Sequence, residues 1–502
     1  MANLIGIDLG TTFSAVGTLD ETGRPIIVHN QEGSNITPSV VSFLGPAKVE
    51  VGEGARRVLG IDQDTIGRFK REMGTSKTYS VLEEEHTPTS LSALVLKKLK
   101  EDAEASIGDI SEAVVTIPAN FANEAREATM HAAKSAGLPV NFIINEPTAA
   151  ALFYGFQTSV ELGGSYAVYD LGGGTFDISI IQVAGQDIDV MATNGVSRLG
   201  GDDFDEALQK LVMEKFKAET GEELDPKDFT KNHAEEEKKT LSRREQCLAY
   251  VSSRSGRVNI SITRIEFEEA ISSYIAQTEM LCESALDEAG LEPSGVNGVF
   301  LVGGSTRIPC VRESVQRIFG QEPIASANVD EVVGLGAALY AAFKGDRSQL
   351  NPIQKQSIDK IKVAEITSKF FGTLAVTEDA ARGGLKHANS VLIKKGEKIP
   401  YSTTQSFFTM YDGQEGVSCE VTESNSPETD PRFVNVIWKG DLPLPPNRPE
   451  GQEIKITYEY DENQIMHCSF VDVESGKETK VDLDRGSGTT TGDDDIDKFT
   501  VE

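Results

Sequence analysis

Positive charge is scarce in this chain: 48 Lys and Arg stand against 79 Asp and Glu, a formal net charge of −31. That balance lacks the clustered cations that track a nucleic-acid backbone, and it disfavours an anionic membrane as partner. No stretch approaches the ~18 consecutive apolar residues of a membrane span. Cysteine is sparse as well. Cys247, Cys282, Cys310, Cys419 and Cys468 are scattered, odd in number and never in a C-x-x-C pair. This spacing argues against a disulfide framework or a zinc site and fits a reducing cytoplasm. The six histidines form no pair at metal-ligand spacing. The opening MANLIGIDLG reaches an acidic residue at position 8 without an apolar signal core, so no export signal is read there. Two common phosphate-binding patterns are missing too: the chain has no G-x-x-x-x-G-K-[ST] run and no G-x-G-x-x-G near its start. A phosphate ligand therefore depends on local backbone groups and a metal, against the overall field.

What is present points to several ordered parts. At 502 residues the chain exceeds the ~250–300 residues at which single cores stop growing, and 39% hydrophobic residues suffice to build cores. Residues 1–345 alternate strand-like runs (LIGIDLG, AVVTIPA, SYAVYDLGGG, VFLVGGS) with helical patterns. In one helix Leu91, Val95, Leu99 and Ala103 recur at i, i+4. Another ends on the stop signal Gly137 and Pro139. An α/β architecture is expected. Residues 346–365 turn polar and read as a linker. From 366 to 485 the period falls to two, with Ile454, Ile456, Tyr458 and Tyr460 alternating with polar residues, as in a compact all-β module. Residues 486–502 are small, polar and acidic, and are expected to be a disordered tail.

The most informative feature is a near-repeat. Asp8-Leu9-Gly10-Thr11-Thr12 follows one apolar strand, and Asp170-Leu171-Gly172-Gly173-Gly174-Thr175 follows another. The pair predicts a duplicated half-domain facing itself across a cleft. Glycines let backbone N–H groups approach phosphate oxygens, each turn adds hydroxyls, and each Asp can hold Mg²⁺ directly or through its waters. A third turn, Gly303-Gly304-Ser305-Thr306-Arg307, offers a planar guanidinium able to stack on a purine.

At this point GIDLGTTFSAV, FKREMG, VVTIPANF, INEPTAAALFYG, YDLGGGTFDISI, NGVSRLGGDDFD, LVGGSTRIP and VDEVVGLGAAL resemble successive signatures of the heat-shock-70 chaperones, the bacterial DnaK type above all. The likeness is nearly continuous over 1–345 and weaker over 366–485. It implies a multi-domain protein: an α/β, actin/hexokinase-like, two-lobed ATPase domain followed by an all-β sandwich that binds peptides. It also implies ATP, ADP and Mg²⁺ as ligands, unfolded or apolar peptide segments as clients, J-domain and nucleotide-exchange partners, a stress response and a monomer. Lys70 matches the lysine that contacts the γ-phosphate and attacking water, and Glu146 the carboxylate near that water. Asp8 and Asp170 match the acids around the Mg²⁺ hydration shell, with Asp177 beside them. Gly10, Thr11, Thr12, Phe13, Gly172, Gly173, Gly174 and Thr175 match phosphate contacts. Glu235, Lys238, Lys239, Ser242, Gly303, Gly304, Ser305, Arg307 and Asp330 match the nucleoside side.

Pro118 and Arg126 match the relay from nucleotide to linker, although Asn120 stands where the family has an aromatic residue. Lys362-Val363-Ala364-Glu365 replaces the family's leucine-rich linker, which puts coupling in doubt. Met410 and Val417 fall where the family lines its peptide pocket. No helical lid follows the sandwich in this sequence. The residues alone leave other readings open. Taken alone, Lys70 reads as a solvated surface lysine, and Glu146 is as well a helix-start carboxylate, EEEKKTLS an exposed helix face with paired charges, and Met410 with Val417 core of the β module. A regulatory partner whose β domain docks one fixed protein is the alternative function. A small-molecule kinase is disfavoured by the appended β module.

Overall fold

The apolar run NLIGID forms the strand Asn3–Asp8, buried along its middle, which pairs in parallel with Ile110–Ile117 and antiparallel with Phe13–Leu19. The computed structural model describes residues 3–157, 163–184, 187–253, 256–325, 328–359, 361–378, 384–461, 464–483 and 496–502. Two compact units emerge. The first is Met1–Asn120, Thr129–Val363 and Asp494–Glu502, and the second is Phe121–Ala128 and Ala364–Asp493.

The first unit contains two sheets built on one plan. One runs Val140–Asn145, Ile110–Ile117, Asn3–Asp8, Phe13–Leu19, Pro25–Val28. The other runs Ile324–Ala325, Val296–Val302, Gly163–Leu171, Phe176–Ala184, Asp187–Val196, Lys362–Ala364. In each, the strand carrying an Asp at or next to its end has a parallel neighbour on one side and an antiparallel hairpin partner on the other. Parallel strands buried on both faces need helices over them, which is why these runs are continuously apolar. The near-repeat in the sequence is thus a repeat of topology.

Two helices fix the geometry behind the turns. Glu146–Gln157 and Val332–Lys344 touch where a Cβ on Gly336 would lie 1.7 Å from the Ala149 carbonyl oxygen. Any side chain there would force the helices apart. The helix Pro88–Ile107 is opened by a Thr87–Ser90 capping box with proline at its start, and it buries Leu91, Val95, Leu99 and Ala103 on one face. Among the described residues no helix is long and apolar enough to cross a membrane.

The second unit has two four-stranded antiparallel sheets, Leu385–Ile393, Phe370–Glu378, Gly416–Ser424, Asn435–Pro443 and Tyr401–Phe408, Glu453–Tyr460, Met466–Asp472, Glu478–Asp482. Ile454, Ile456, Tyr458 and Tyr460 enter a core shared with Phe371 and Val421 of the other sheet. The Tyr458 hydroxyl donates to the Gly372 carbonyl at 2.8 Å, joining both sheets. Trp438 stacks on Phe470 with centroids 5.8 Å apart.

Three boundaries need correction. Residues 346–365, expected as a linker, are mostly ordered first-unit structure. Asn351 caps the helix Pro352–Ile358, Ile358 is buried, and Gln354 donates to the carbonyls of Leu19 and Asp20. Polar composition concealed this because the segment is anchored by side-chain amides, with little apolar surface. The expected disordered tail, 486–502, also requires revision. Residues 486–495 lie outside the described set, but Ile496–Lys498 forms a 3₁₀ turn and Thr500–Val501 a strand. Ile496 and Phe499 are its apolar anchors. Finally, Phe121–Ala128 belongs to the second unit, which was expected to begin only at 366.

The linker residues also differ from expectation. Lys362–Ala364 pairs as the outer strand beside Asp187–Val196. The Lys362 side chain is 78% exposed and contacts Asp187 Oδ2 at 3.1 Å.

Candidate functional site

Asp8 and Asp170 each sit at the last residues of a strand, and the chain must reverse there into its hairpin partner. The first turn is held by Ser14 Oγ, which accepts from the Gly10 N–H at 3.1 Å, and by Ser39 Oγ, which donates to the Gly10 carbonyl at 2.8 Å. The second is held by the start of the helix Gly201–Thr220, where the N–H groups of Gly201 and Asp202 donate to the carbonyls of Gly172 and Gly173 at 3.0 and 2.7 Å. The two turns meet. A Cβ on Gly173 would lie 1.9 Å from Thr12 Oγ1, and one on Gly174 would lie 2.5 Å from Thr11 Cγ2. Only glycine allows that approach.

Above the turns lies a cavity of about 690 Å³, within the ~300–1,000 Å³ typical of small-molecule sites. Its walls include Asp8, Gly10, Thr11, Thr12, Phe13, Lys70, Glu146, Asp170, Gly172, Gly173 and Thr175. They also include Glu235, Lys238, Lys239, Ser242, Gly303, Gly304, Ser305, Arg307 and Asp330. Gly174 and Asp177, both expected at the site, do not line it. Gly174 is turned against Thr11, and its carbonyl accepts from the Leu199 N–H at 3.2 Å. Asp177 is buried, faces Asp170 across the hairpin, and accepts from the Asn120 N–H at 3.3 Å.

At the closed end, Lys70 Nζ donates to Glu146 Oε1 at 2.6 Å, with Lys70 only 4% exposed. Lys70 lies in the 3₁₀ turn Phe69–Glu72, and Glu146 is the first residue of its helix. Burial, then repulsion from Glu146, raises the Asp8 carboxyl to about 7 despite Lys70 and a hydrogen bond from Thr116. Burial, then Glu146, Asp177 and Asp8, pushes Asp170 well above the usual carboxylate range, again against Lys70. This carboxylate set is short of positive charge. Among the described residues no group of three or more His, Cys, Asp or Glu is spaced to hold a metal ion directly. A divalent ion that keeps its own waters, as Mg²⁺ does, fits such a set. Thr12 Oγ1 is buried without a hydrogen-bond partner, an open donor beside both glycine turns. That hydroxyl fits an anionic oxygen.

The other wall comes from one helix face. Glu235, Lys238, Lys239 and Ser242 occur over Lys231–Leu241 and its C-terminal residue. Lys238 Nζ bridges Asp205 at 2.7 Å and the Gly201 carbonyl at 2.9 Å. Burial raises Glu235, but Lys239, Arg56 and Lys238 outweigh it and bring the carboxyl down to about 2. Arg307 contacts Asp330 at 2.9 Å while its side chain stays about half exposed.

Sequence reasoning missed a set of ion pairs around this cavity: Arg56–Glu235 at 3.0 Å, Arg68–Asp202 at 2.5 Å and Arg71–Asp203 at 2.9 Å. The Arg56 guanidinium also lies 5.1 Å from the Phe13 ring centre. The acidic start GGDDF of a helix was a usable signal for Asp202 and Asp203. Their partners are far away in the chain and only the fold pairs them.

The remaining expected residues lie elsewhere. Pro118 follows Ile110–Ile117 in the first unit. Arg126 is buried in the second unit, where it donates to the Phe121 carbonyl at 3.1 Å, to Gln464 Oε1 and to Ser368 Oγ. Met410 is 43% exposed. Val417 is partly buried and packs against the core of the second unit.

A family model described as Hsp70 protein matches residues 4–502.

Proposed function

Because this chain belongs to the Hsp70 family, we propose that it is an ATP-dependent chaperone whose first unit hydrolyses ATP and whose second unit binds short apolar peptide segments. The observation carrying the nucleotide half is the meeting of the two Asp-glycine-Thr turns beneath a cavity that also exposes Arg307.

The two turns offer backbone N–H groups and the Thr11, Thr12 and Thr175 hydroxyls to a phosphate chain. Glu235, Lys238, Ser242 and Arg307 hold the nucleoside end. Asp8 and Asp170 would hold Mg²⁺ through its waters, and the ion would supply charge neutralisation on the phosphates. Lys70 faces the charge that develops on the transferred group, and Glu146 orients the attacking water. Phosphoryl transfer to water demands positioning and electrostatic stabilisation more than covalent chemistry, and these groups provide both. The Lys70–Glu146 hydrogen bond holds the Glu146 side chain in place.

Support for the peptide half is the exposed apolar group Phe408, Met410 and Tyr411, next to the strand Tyr401–Phe408. Single exposed apolar residues are ordinary, but three within four positions make a surface suited to an apolar ligand.

Single-turnover ATP hydrolysis, with and without Mg²⁺ and across a panel of apolar heptapeptides, tests both halves. The reading expects Mg²⁺-dependent phosphate release and binding of many unrelated apolar peptides. Absence of hydrolysis refutes the first half. Binding of none of them refutes the second.

A further inference from the structure

The strand Lys48–Val51 stands at the edge of a sheet continued by Val40–Gly45 and Thr65–Gly67. An edge strand presents unpaired N–H and C=O groups that invite another strand. Here Thr500–Val501 fills it in parallel, with Thr500 opposite Lys48 and Val501 opposite Val49. Three backbone bonds fix the register: Thr500 N–H to Ala47 carbonyl, Glu502 N–H to Val49 carbonyl, and Val51 N–H to Glu502 carbonyl, each 2.9 Å.

Side chains add selectivity. Ile496 and Phe499 are each 4% exposed and enter the core that contains Phe43, Val49 and Val51. The Phe499 ring meets Phe43 edge-on at 5.7 Å, and the His86 ring lies 4.4 Å from Phe43 and 6.0 Å from Phe499. Lys97 of the helix Pro88–Ile107 donates to the Phe499 carbonyl at 3.0 Å and the Ile496 carbonyl at 3.5 Å. At the rim Lys498 contacts Glu84 at 2.6 Å and Lys48 contacts Glu502 at 2.8 Å.

We propose that this groove is a peptide-docking site of the first unit, separate from the nucleotide cavity, and that its resident occupant is the chain's own Ile496–Glu502. The site reads a segment that makes one 3₁₀ turn and then a short strand, with apolar side chains at its first, fourth and sixth positions. Strand addition supplies affinity through the main chain, and the pockets for Ile496 and Phe499 supply specificity. The occupant is an exchangeable ligand, because its hold consists of two buried side chains, three edge hydrogen bonds, the Lys97 contacts and exposed ion pairs that contribute little. The whole second unit intervenes in sequence between this segment and the rest of the first unit. A ligand on the same chain acts at an effective concentration on the order of millimolar, so it masks the groove from weaker competitors.

The test uses the full chain and a fluorescein-labelled heptapeptide of the sequence IDKFTVE, that of residues 496–502. Anisotropy is compared between the unaltered protein and the double variant Ile496→Ala, Phe499→Ala. The proposal expects the variant to bind the peptide at least tenfold more tightly, with a scrambled peptide bound by neither and added Lys97→Met weakening the gain. Equal binding by both proteins, or none by either, overturns it. Hydrogen exchange on the unaltered chain is a second measurement that needs no variant. The amides of Val51, Thr500 and Glu502 should be protected, and excess free peptide should deprotect Thr500 and Glu502 while Val51 stays protected. Unprotected amides overturn the proposal. A concentration-dependent dimer with the same protection would put a second copy's segment in the groove, and so overturn the assignment to the chain's own.

Discussion

Replacing Lys70 by methionine keeps the length of the side chain and removes its charge. In the folded protein Lys70 Nζ lies 2.6 Å from Glu146 Oε1, both groups are buried, and Lys70 also lowers the carboxyls of Asp8 and Asp170. Removing one partner leaves a buried charge uncompensated, which typically costs about 3–5 kcal/mol. The expected result is therefore a loss of about 3 kcal/mol in unfolding free energy at pH 7. The double variant Lys70→Met, Glu146→Gln should recover most of that loss, since it also removes the carboxylate that the lysine compensates. Urea unfolding at pH 7 measures both. Single-turnover hydrolysis supplies the second readout: Lys70→Met should slow the chemical step by ~10²–10³ with a small change in ATP affinity, the range for losing one transition-state stabiliser. The double variant should stay slow. An undiminished stability of Lys70→Met, or no rescue by Glu146→Gln, would refute the buried-pair argument. Unchanged hydrolysis in the folded variant would remove Lys70 from the mechanism.

Three further outcomes are expected. Asp170→Asn should weaken binding of Mg²⁺-ATP more than binding of ATP in EDTA by calorimetry, and equal weakening would assign the carboxylate to holding its turn. Glu235 has its carboxyl brought down from 4.5 to about 2, so its stabilisation is complete above pH 4.5 and lost as pH falls through 2. That amounts to about 3 kcal/mol, and Glu235→Gln should remove that part of the acid-induced loss in urea unfolding at stepped pH. Met410→Glu should weaken a labelled apolar heptapeptide by ~10-fold or more, the worth of one buried methionine. Val417→Glu should instead lower the melting temperature, because Val417 packs against the core.

The sequence by itself determined the local chemistry. The two Asp-glycine-Thr turns, the strands that lead into them, the helix stops at Gly137 and Pro139, and the alternation of Ile454 to Tyr460 are all encoded by neighbours within a few residues. Local patterns report period, turns and caps, and those are the features read correctly. The tertiary structure decided everything that depends on long-range pairing. It joined Lys70 to Glu146, Arg56 to Glu235 and Arg68 to Asp202, and it buried Asp177 beside Asp170 without placing it on the cavity wall that Asp170 lines. It also overruled composition twice. Residues 352–358 are polar yet ordered, because Asn351 and Gln354 find backbone partners in the loop near Asp20. In the acidic tail, Ile496 and Phe499 are too few to register as a hydrophobic pattern. They become buried only because the edge strand Lys48–Val51 and the Lys97 ammonium await them. Composition measures how much apolar surface a segment carries, whereas order depends on whether a complementary surface exists elsewhere in the fold.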